Sequence, residues 1–154
     1  MTLSFLDLND ATLDYTILGV TGRKGITRQV FAQQDSGFTA TVADMYWGGA
    51  AQNGWGISVL QQYRALFSVW YTYDASGAPT WYVMPNGAWS DVNTYEGRLY
   101  RTTGSPWLIG AYDPAKLQPV DVGSFSLRFG LEGASFNYVV DQKGGTMSLV
   151  RQPF

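Results

Sequence analysis

One stretch of this sequence occurs twice. Residues 11–31 fall on residues 134–154 at an offset of 123 positions. Ala11, Tyr15, Gly22, Arg28, Gln29 and Phe31 meet Ala134, Tyr138, Gly145, Arg151, Gln152 and Phe154. Thr12 meets Ser135, Leu13 meets Phe136, Asp14 meets Asn137 and Ile26 meets Leu149. With one gap upstream, Leu3 and Phe5 meet Leu127 and Phe129. A repeat constrains the fold of the whole chain, because both copies must be able to take the same structure. The chain therefore reads as the tail of one repeat followed by a complete second repeat.

The repeated letters carry a strand pattern. Ala11, Leu13, Tyr15 and Ile17 share one face of an extended chain, opposite Thr12, Asp14 and Thr16. Ala134, Phe136, Tyr138 and Val140 alternate in the same way with Ser135 and Asn137. Period two with one wet face marks a half-buried β-strand. No window shows sustained apolar spacing at the helical period. Asp74 to Pro79, Asn86-Gly87, Gly104-Ser105-Pro106, Gly110 to Pro114 and Gly144-Gly145 supply turns. Three strands are expected before residue 33 and about eight from residue 43 onward. The predicted fold is all-β: an antiparallel up-and-down barrel of about eight strands, plus three extra strands duplicated from a neighbouring repeat.

The expected division is residues 1–32 as the three closing strands of a preceding repeat, 33–42 as a polar linker, and 43–154 as a complete barrel. A lone three-stranded sheet is marginal in water. If 43–154 closes a barrel, strands 2–31 are surplus, with an apolar face and open edges. They pack beside their own barrel, swap into another subunit or extend a neighbour's sheet. Leu13, Tyr15, Ile17, Ile26, Arg28 and Phe31 are the candidate self-association residues.

Composition narrows the chemistry. There is no cysteine and no histidine. That removes thiol nucleophiles and thiolate metal sites, together with the commonest general base and metal ligand. The net charge of −2 gives no basic stripe for nucleic acid. No apolar run reaches the length of a spanning helix. Met1 to Asp7 lacks a basic region and carries an early Asp, unlike a signal peptide. Glu96 lies in a strand beside Arg98 and Arg101, whose charges oppose a general acid's need. Asp74, Asp91, Asp113 and Glu132 sit in turn contexts, where capping is the expected role. No catalytic residue, metal site or cofactor is expected, and an enzyme is disfavoured.

Aromatic residues, 16% of the chain, are the remaining functional candidates. Leu66 to Tyr73 and Thr80 to Met84 are apolar on both strand faces, so both faces need a cover. Trp55, Trp70, Tyr71, Tyr73, Trp81 and Tyr82 cluster on three consecutive strands as a candidate ligand-binding surface, for sugar rings or a flat apolar molecule. The competing role is core and inter-subunit packing. Trp47, Trp89 and Trp107 sit in loop-like contexts and are candidates for exposed contacts.

Four stretches carry a family likeness: Gly54-Trp55-Gly56, Gln61-Gln62, Trp70 through Met84 (WYTYDASGAPTWYVM) and Gly97 to Gly104 (GRLYRTTG). With the Ile26 to Phe31 ending, they resemble a family of exported proteobacterial tandem-repeat domains, largely uncharacterised. The resemblance covers residues 43–154 once and 2–31 as the close of an earlier copy. It implies an extracellular or cell-envelope setting and supplies no catalytic residues. Gln52 and Asn53 stand where family members tend to have an acidic residue and Ser. Tyr63 stands where they tend to have Gly, so the turn at Tyr63-Arg64 is expected to be longer or of another type. An avidin- or lipocalin-type barrel is similar in architecture only.

The function expected is a non-catalytic extracellular β-barrel module that associates with itself through its spare strands, as a structural, adhesive or filament-forming unit. The alternative is a barrel that binds carbohydrate or a small apolar ligand.

Overall fold

The computed structural model describes residues 1–34, 41–106 and 111–154; Trp107 and most of the expected linker lie outside them. Among the described residues all regular structure is β, apart from single 3-10 turns at Ala50–Gln52 and Pro114–Lys116. Two compact units are present, one built on Met1–Val30 and the other on Phe31–Ser105 with Asp113–Phe154.

The first unit is a three-stranded antiparallel sheet in the order β1 (Thr2–Phe5), β2 (Asp10–Ile17), β3 (Val20–Thr27). Its register puts Leu3 opposite Leu13 and Leu13 opposite Lys24, then Phe5 opposite Ala11 and Ala11 opposite Ile26. Tyr15 faces Gly22 and Ile17 faces Val20. One face is therefore apolar except for Lys24. The other is wet, with Asp14 accepting from Arg23 Nε at 2.6 Å and Thr27 donating to Asp10 at 2.7 Å. The β2–β3 turn holds two residues, Leu18 (φ 50°) and Gly19 (φ 80°). Both at positive φ is the geometry that matches the twist of a two-residue hairpin.

The second unit is a closed barrel of eight antiparallel strands. They are β4 (Asp44–Trp47), β5 (Gly56–Gln62), β6 (Ala65–Tyr73), β7 (Pro79–Met84), β9 (Thr94–Thr103), β10 (Gln118–Phe129), β11 (Gly133–Val140) and β12 (Lys143–Arg151). Each pairs with its sequence neighbour, and β12 returns to β4. The extra strand, β8 (Gly87–Trp89), lies on β9. Since β10 covers the far edge of β9, β7 and β8 share the near one. They form one line broken at Pro85-Asn86, where proline cannot donate to the ladder.

Alternation fills the barrel. Ile57, Val59, Leu66, Trp70, Tyr82, Met84, Tyr95, Leu99, Phe125, Leu127, Phe129, Phe136 and Leu149 are buried and make one core. At roughly 1.5–3 kcal/mol per large apolar side chain, this layer is the main stabilising term. The joints are unequal. β10 meets β9 over ten residue pairs, whereas β12 meets β4 at Val150↔Trp47 and Arg151↔Tyr46, with Gln152 N donating to Met45 O at 2.9 Å, and β7 meets β9 at Val83↔Tyr100 alone. An ion pair between Arg151 and Asp44 adds to the β12–β4 joint, and Arg151 lies 5.4 Å from the Tyr46 ring centroid.

The Gln61-Gln62 pair ties incoming chain to β5. Gln62 Oε1 accepts from the Phe31 and Ala32 amides at 3.0 and 3.3 Å, and Gln61 Oε1 accepts from Val42 N at 2.8 Å. The turn that follows is not longer than two residues. Gln62 and Ala65 pair across it and Tyr63 itself takes φ 53°. Gln61 Nε2 donates to Tyr63 O at 2.8 Å, which helps hold a conformation that costs a Tyr about 1–2 kcal/mol.

Candidate functional site

The repeat predicted from letters is a repeat of register. Leu127 faces Phe136 and Phe129 faces Ala134, as Leu3 faces Leu13 and Phe5 faces Ala11. Phe136 faces Met147 and Tyr138 faces Gly145, as Leu13 faces Lys24 and Tyr15 faces Gly22. Both tyrosine hydroxyls lie over their glycine: a Cβ there would come within 2.2 Å at Gly22 and 2.4 Å at Gly145. The turn Asp141-Gln142 has both φ angles positive, like Leu18-Gly19. Even the gap is placed. Leu6 N donates to Asp10 O and Gly130 N to Gly133 O, so the first copy carries one more loop residue.

The copies differ in what their apolar face meets. Leu127, Phe129, Phe136 and Leu149 are buried in the barrel. Their counterparts Leu3, Phe5 and Ile26 are 46%, 75% and 41% exposed, while Leu13, the counterpart of Phe136, is half-buried. Of the predicted self-association residues, Leu13, Tyr15, Ile17 and Ile26 lie on this face, and Arg28 follows directly after β3. Phe31 does not belong with them. It is part of the barrel unit, where its ring centroid is 6.0 Å from that of Phe67 and helps cover the outer side of β6.

The six predicted ligand-binding aromatics do not form one surface, because strand alternation divides them. Trp70 and Tyr82 point into the barrel and are buried, their ring centroids 5.3 Å apart. Tyr71 and Trp81 face each other across β6 and β7 on the outside, both about half exposed, and Tyr73 is similarly exposed. Trp55 is half-buried against the core. Two predicted exposed contacts are corrected. Trp89 packs on Tyr95 and Phe129 at 5.2 and 5.9 Å, and its Nε1 donates to Arg64 O at 2.7 Å. Trp47 is a strand residue of β4, half-buried, with its Nε1 enclosed. Each lies on a strand of only three or four residues, too short for alternation to show in the sequence.

One end of the barrel opens into a cavity of about 620 Å³ between the β6–β7 and β11–β12 turns. Trp70, Tyr82, Tyr138 and Met147 make its apolar walls; Tyr138 lies 4.7 Å from Trp70 and 5.4 Å from Phe136. Arg101, Asp74, Asp141 and Lys143 edge it. Arg101 pairs with Asp141 and sits 5.7 Å from the Tyr82 ring centroid. Trp70 Nε1 is buried without a hydrogen-bond partner. Nothing in the sequence signals the cavity; two of the six ligand-binding candidates, Trp70 and Tyr82, line it.

Three of the four turn carboxylates, Asp74, Asp91 and Asp113, cap as expected; Glu132 makes no capping bond among the described residues. Asp74 accepts from Ser76 Oγ, Ser76 N and Ala78 N, and these bonds, the Ser76 hydroxyl first, hold its pKa below the usual value. Asp91 accepts from the Asn93 and Thr94 amides, and Asp113 from Ala115 N. Arg98 pairs with Asp121 and Arg101 with Asp141, so neither expected neighbour of Glu96 is paired with it. Among the described residues no group of three acidic side chains is placed to hold a metal ion. The structure thus shares an eight-stranded antiparallel barrel with the architecture expected, while no protein-family model, curated protein or solved structure matches the chain.

Proposed function

We propose that this chain is a non-catalytic, self-associating β-barrel module, of structural or adhesive use outside the cell, in which β1–β3 packs on a second copy. The observation that carries this is the match between the two triplets. Leu3, Phe5 and Ile26 keep an apolar face whose equivalents are covered by the rest of a barrel. The cover they fit is therefore β4–β9 of another copy, in the place of β10–β12. Arg28 supports the same partner. Its equivalent Arg151 pairs with Asp44, whereas the Arg28 guanidinium has no ion pair among the described residues. The two-rung β12–β4 joint is where a barrel would admit the incoming strands. Each acceptor then frees its own β10–β12, so the contact propagates head to tail.

Light scattering across a concentration series tests this on the full chain. The expected result is a mass that rises with concentration. Leu3→Asp with Ile26→Asp, and separately the gentler Arg28→Glu, reduce it to that of one chain. A wild-type chain that stays monomeric at millimolar concentration sinks the proposal, as does association unchanged by both variants.

A further inference from the structure

We infer that the barrel end carrying Val92 and Leu131 is a docking surface for a zwitterionic phospholipid bilayer, with these two turn tips in the acyl boundary and the groove beside them on the headgroups. The surface does not rest on the self-association proposed above.

The first observation is a pair of apolar residues where turns favour Gly, Asn, Asp and Ser. Val92 is 93% exposed and Leu131 is 96% exposed. Neither side chain is needed to make its turn. Asp91 shapes the first by accepting from the Asn93 and Thr94 amides, and Gly130 N closes the second on Gly133 O at 2.8 Å. The two turns adjoin, since Thr94 faces Arg128 and Phe129 N donates to Asn93 O at 2.8 Å. The leucine is also repeated. Leu8 stands 123 positions before Leu131, in the loop after β1, and is 86% exposed. The other hairpin of the repeat keeps no such residue: exposed Leu18 has Asp141 as its counterpart. Single exposed apolar residues are ordinary on a protein surface. A pair on adjoining tips, one of them kept in both copies, is not.

The second observation is a groove of about 420 Å³ along both turns, lined among others by Asn93, Arg128, Gly130, Glu132, Gly133 and Val150. It holds one cation and one anion. Neither Arg128 nor Glu132 makes an ion pair among the described residues. Asp91 feels the Arg128 charge but is already supplied with donors by Asn93 and Thr94. A guanidinium suits a phosphate, and a carboxylate suits an ammonium. A phosphocholine or phosphoethanolamine headgroup carries both. Anionic lipids are recognised instead by clusters of Lys and Arg, which this end lacks among the described residues.

The tips also fit a bilayer better than a protein. A protein partner needs about 800 Å² of matching surface on each side. These tips project singly. A bilayer interface takes up apolar side chains to a depth of about 5–10 Å, without a shaped pocket for each.

The test is co-sedimentation of the full chain with dioleoylphosphatidylcholine vesicles over a lipid series. The expected result is saturable binding that high salt hardly alters. Val92→Asp with Leu131→Asp weakens it about tenfold or more and leaves the unfolding midpoint unchanged. Arg128→Gln with Glu132→Gln weakens it several-fold, and Leu18→Asp changes nothing. Arg28→Glu, which blocks association of the chains, leaves lipid binding intact, so the two proposals fail separately. A wild-type chain that stays in solution at millimolar lipid overturns the surface, as does binding unchanged by the two aspartates. Tighter binding to phosphatidylglycerol vesicles overturns the headgroup class. Soluble phosphocholine bound as tightly as vesicles overturns the bilayer as the partner. If the two aspartates instead lower the mass of self-associated chains, the tips belong to a protein contact and the lipid surface is overturned.

Discussion

β1–β3 and β10–β12 are near-copies in sequence and copies in register, yet one face is covered by a barrel and the other is covered only in part, with Ala11 and Tyr15 buried but Leu3, Phe5 and Ile26 exposed. Their hairpins, their Tyr-over-Gly contacts and their positive-φ turns agree. What separates them is what lies across from the apolar face. Strand pairing and turn geometry are thus fixed by short-range sequence, while burial is fixed by the partner. The first copy also shows where the constraint has loosened. Lys24 stands in line with Met147, which packs on the core, and Leu13 stands for the larger Phe136.

The comparison breaks most visibly at its central rung. Phe136→Ala removes a wholly buried ring and should cost about 3–5 kcal/mol of barrel stability in denaturant unfolding. Leu13→Ala, at the matching site, should leave the barrel transition unchanged. Equal losses would mean that the triplet folds as part of the barrel. A smaller effect is expected at the glycines. Gly145→Ala pushes against the Tyr138 ring and should destabilise by about 1–3 kcal/mol. Gly22→Ala crowds Tyr15 and should leave the barrel's stability unchanged.

Turn and charge changes sharpen the comparison further. Leu18 is almost fully exposed at φ 50°, a poor residue for that place. Leu18→Asn makes an Asn-Gly turn and should raise amide protection in β2–β3 by about 0.5–1 kcal/mol. Asp141, already a suitable residue at φ 46°, should gain little from the same change. The smallest effect is with pH. Asp14 has its pKa lowered, chiefly by its bond to Arg23, while Asn137 at the matching place does not titrate. A carboxylate with a lowered pKa supports the fold above its ordinary value of about 3.9, and loses that support as pH falls through the shifted one. Carbon-detected NMR should show Asp14 titrating below that value, with the β2–β3 rung loosening and the β11–β12 rung unchanged.

Most of the fold was legible because its signals are local. Alternation gave the strands, Gly and Asp clusters gave the turns, and the offset of 123 gave the second copy of the triplet. Tyr63 misled because a residue preference of about 1–2 kcal/mol is small beside a hairpin's register, and the register prevailed. Trp47 and Trp89 misled because strands of three or four residues carry too little pattern to see. The aromatic cluster was half legible. Sequence neighbours such as Trp70 and Tyr71 look like one patch, but a strand sends them to opposite sides. The cavity joins residues as distant as Trp70 and Lys143, and no single-sequence pattern brings those together.

The β12–β4 joint has a mechanical consequence. Asp44 and Arg151 lie together at one end of adjacent antiparallel strands. A pull applied to the chain on either side of the barrel therefore parts these strands from that end. The rungs open one after another instead of resisting together in shear. With two rungs, the Gln152–Met45 backbone bond and one ion pair to part, the barrel yields there at lower force than the ten-pair joint of β9 and β10. A string of such barrels would lengthen under load by opening staves and shorten again by closing them, like a spring with one soft coil in each unit.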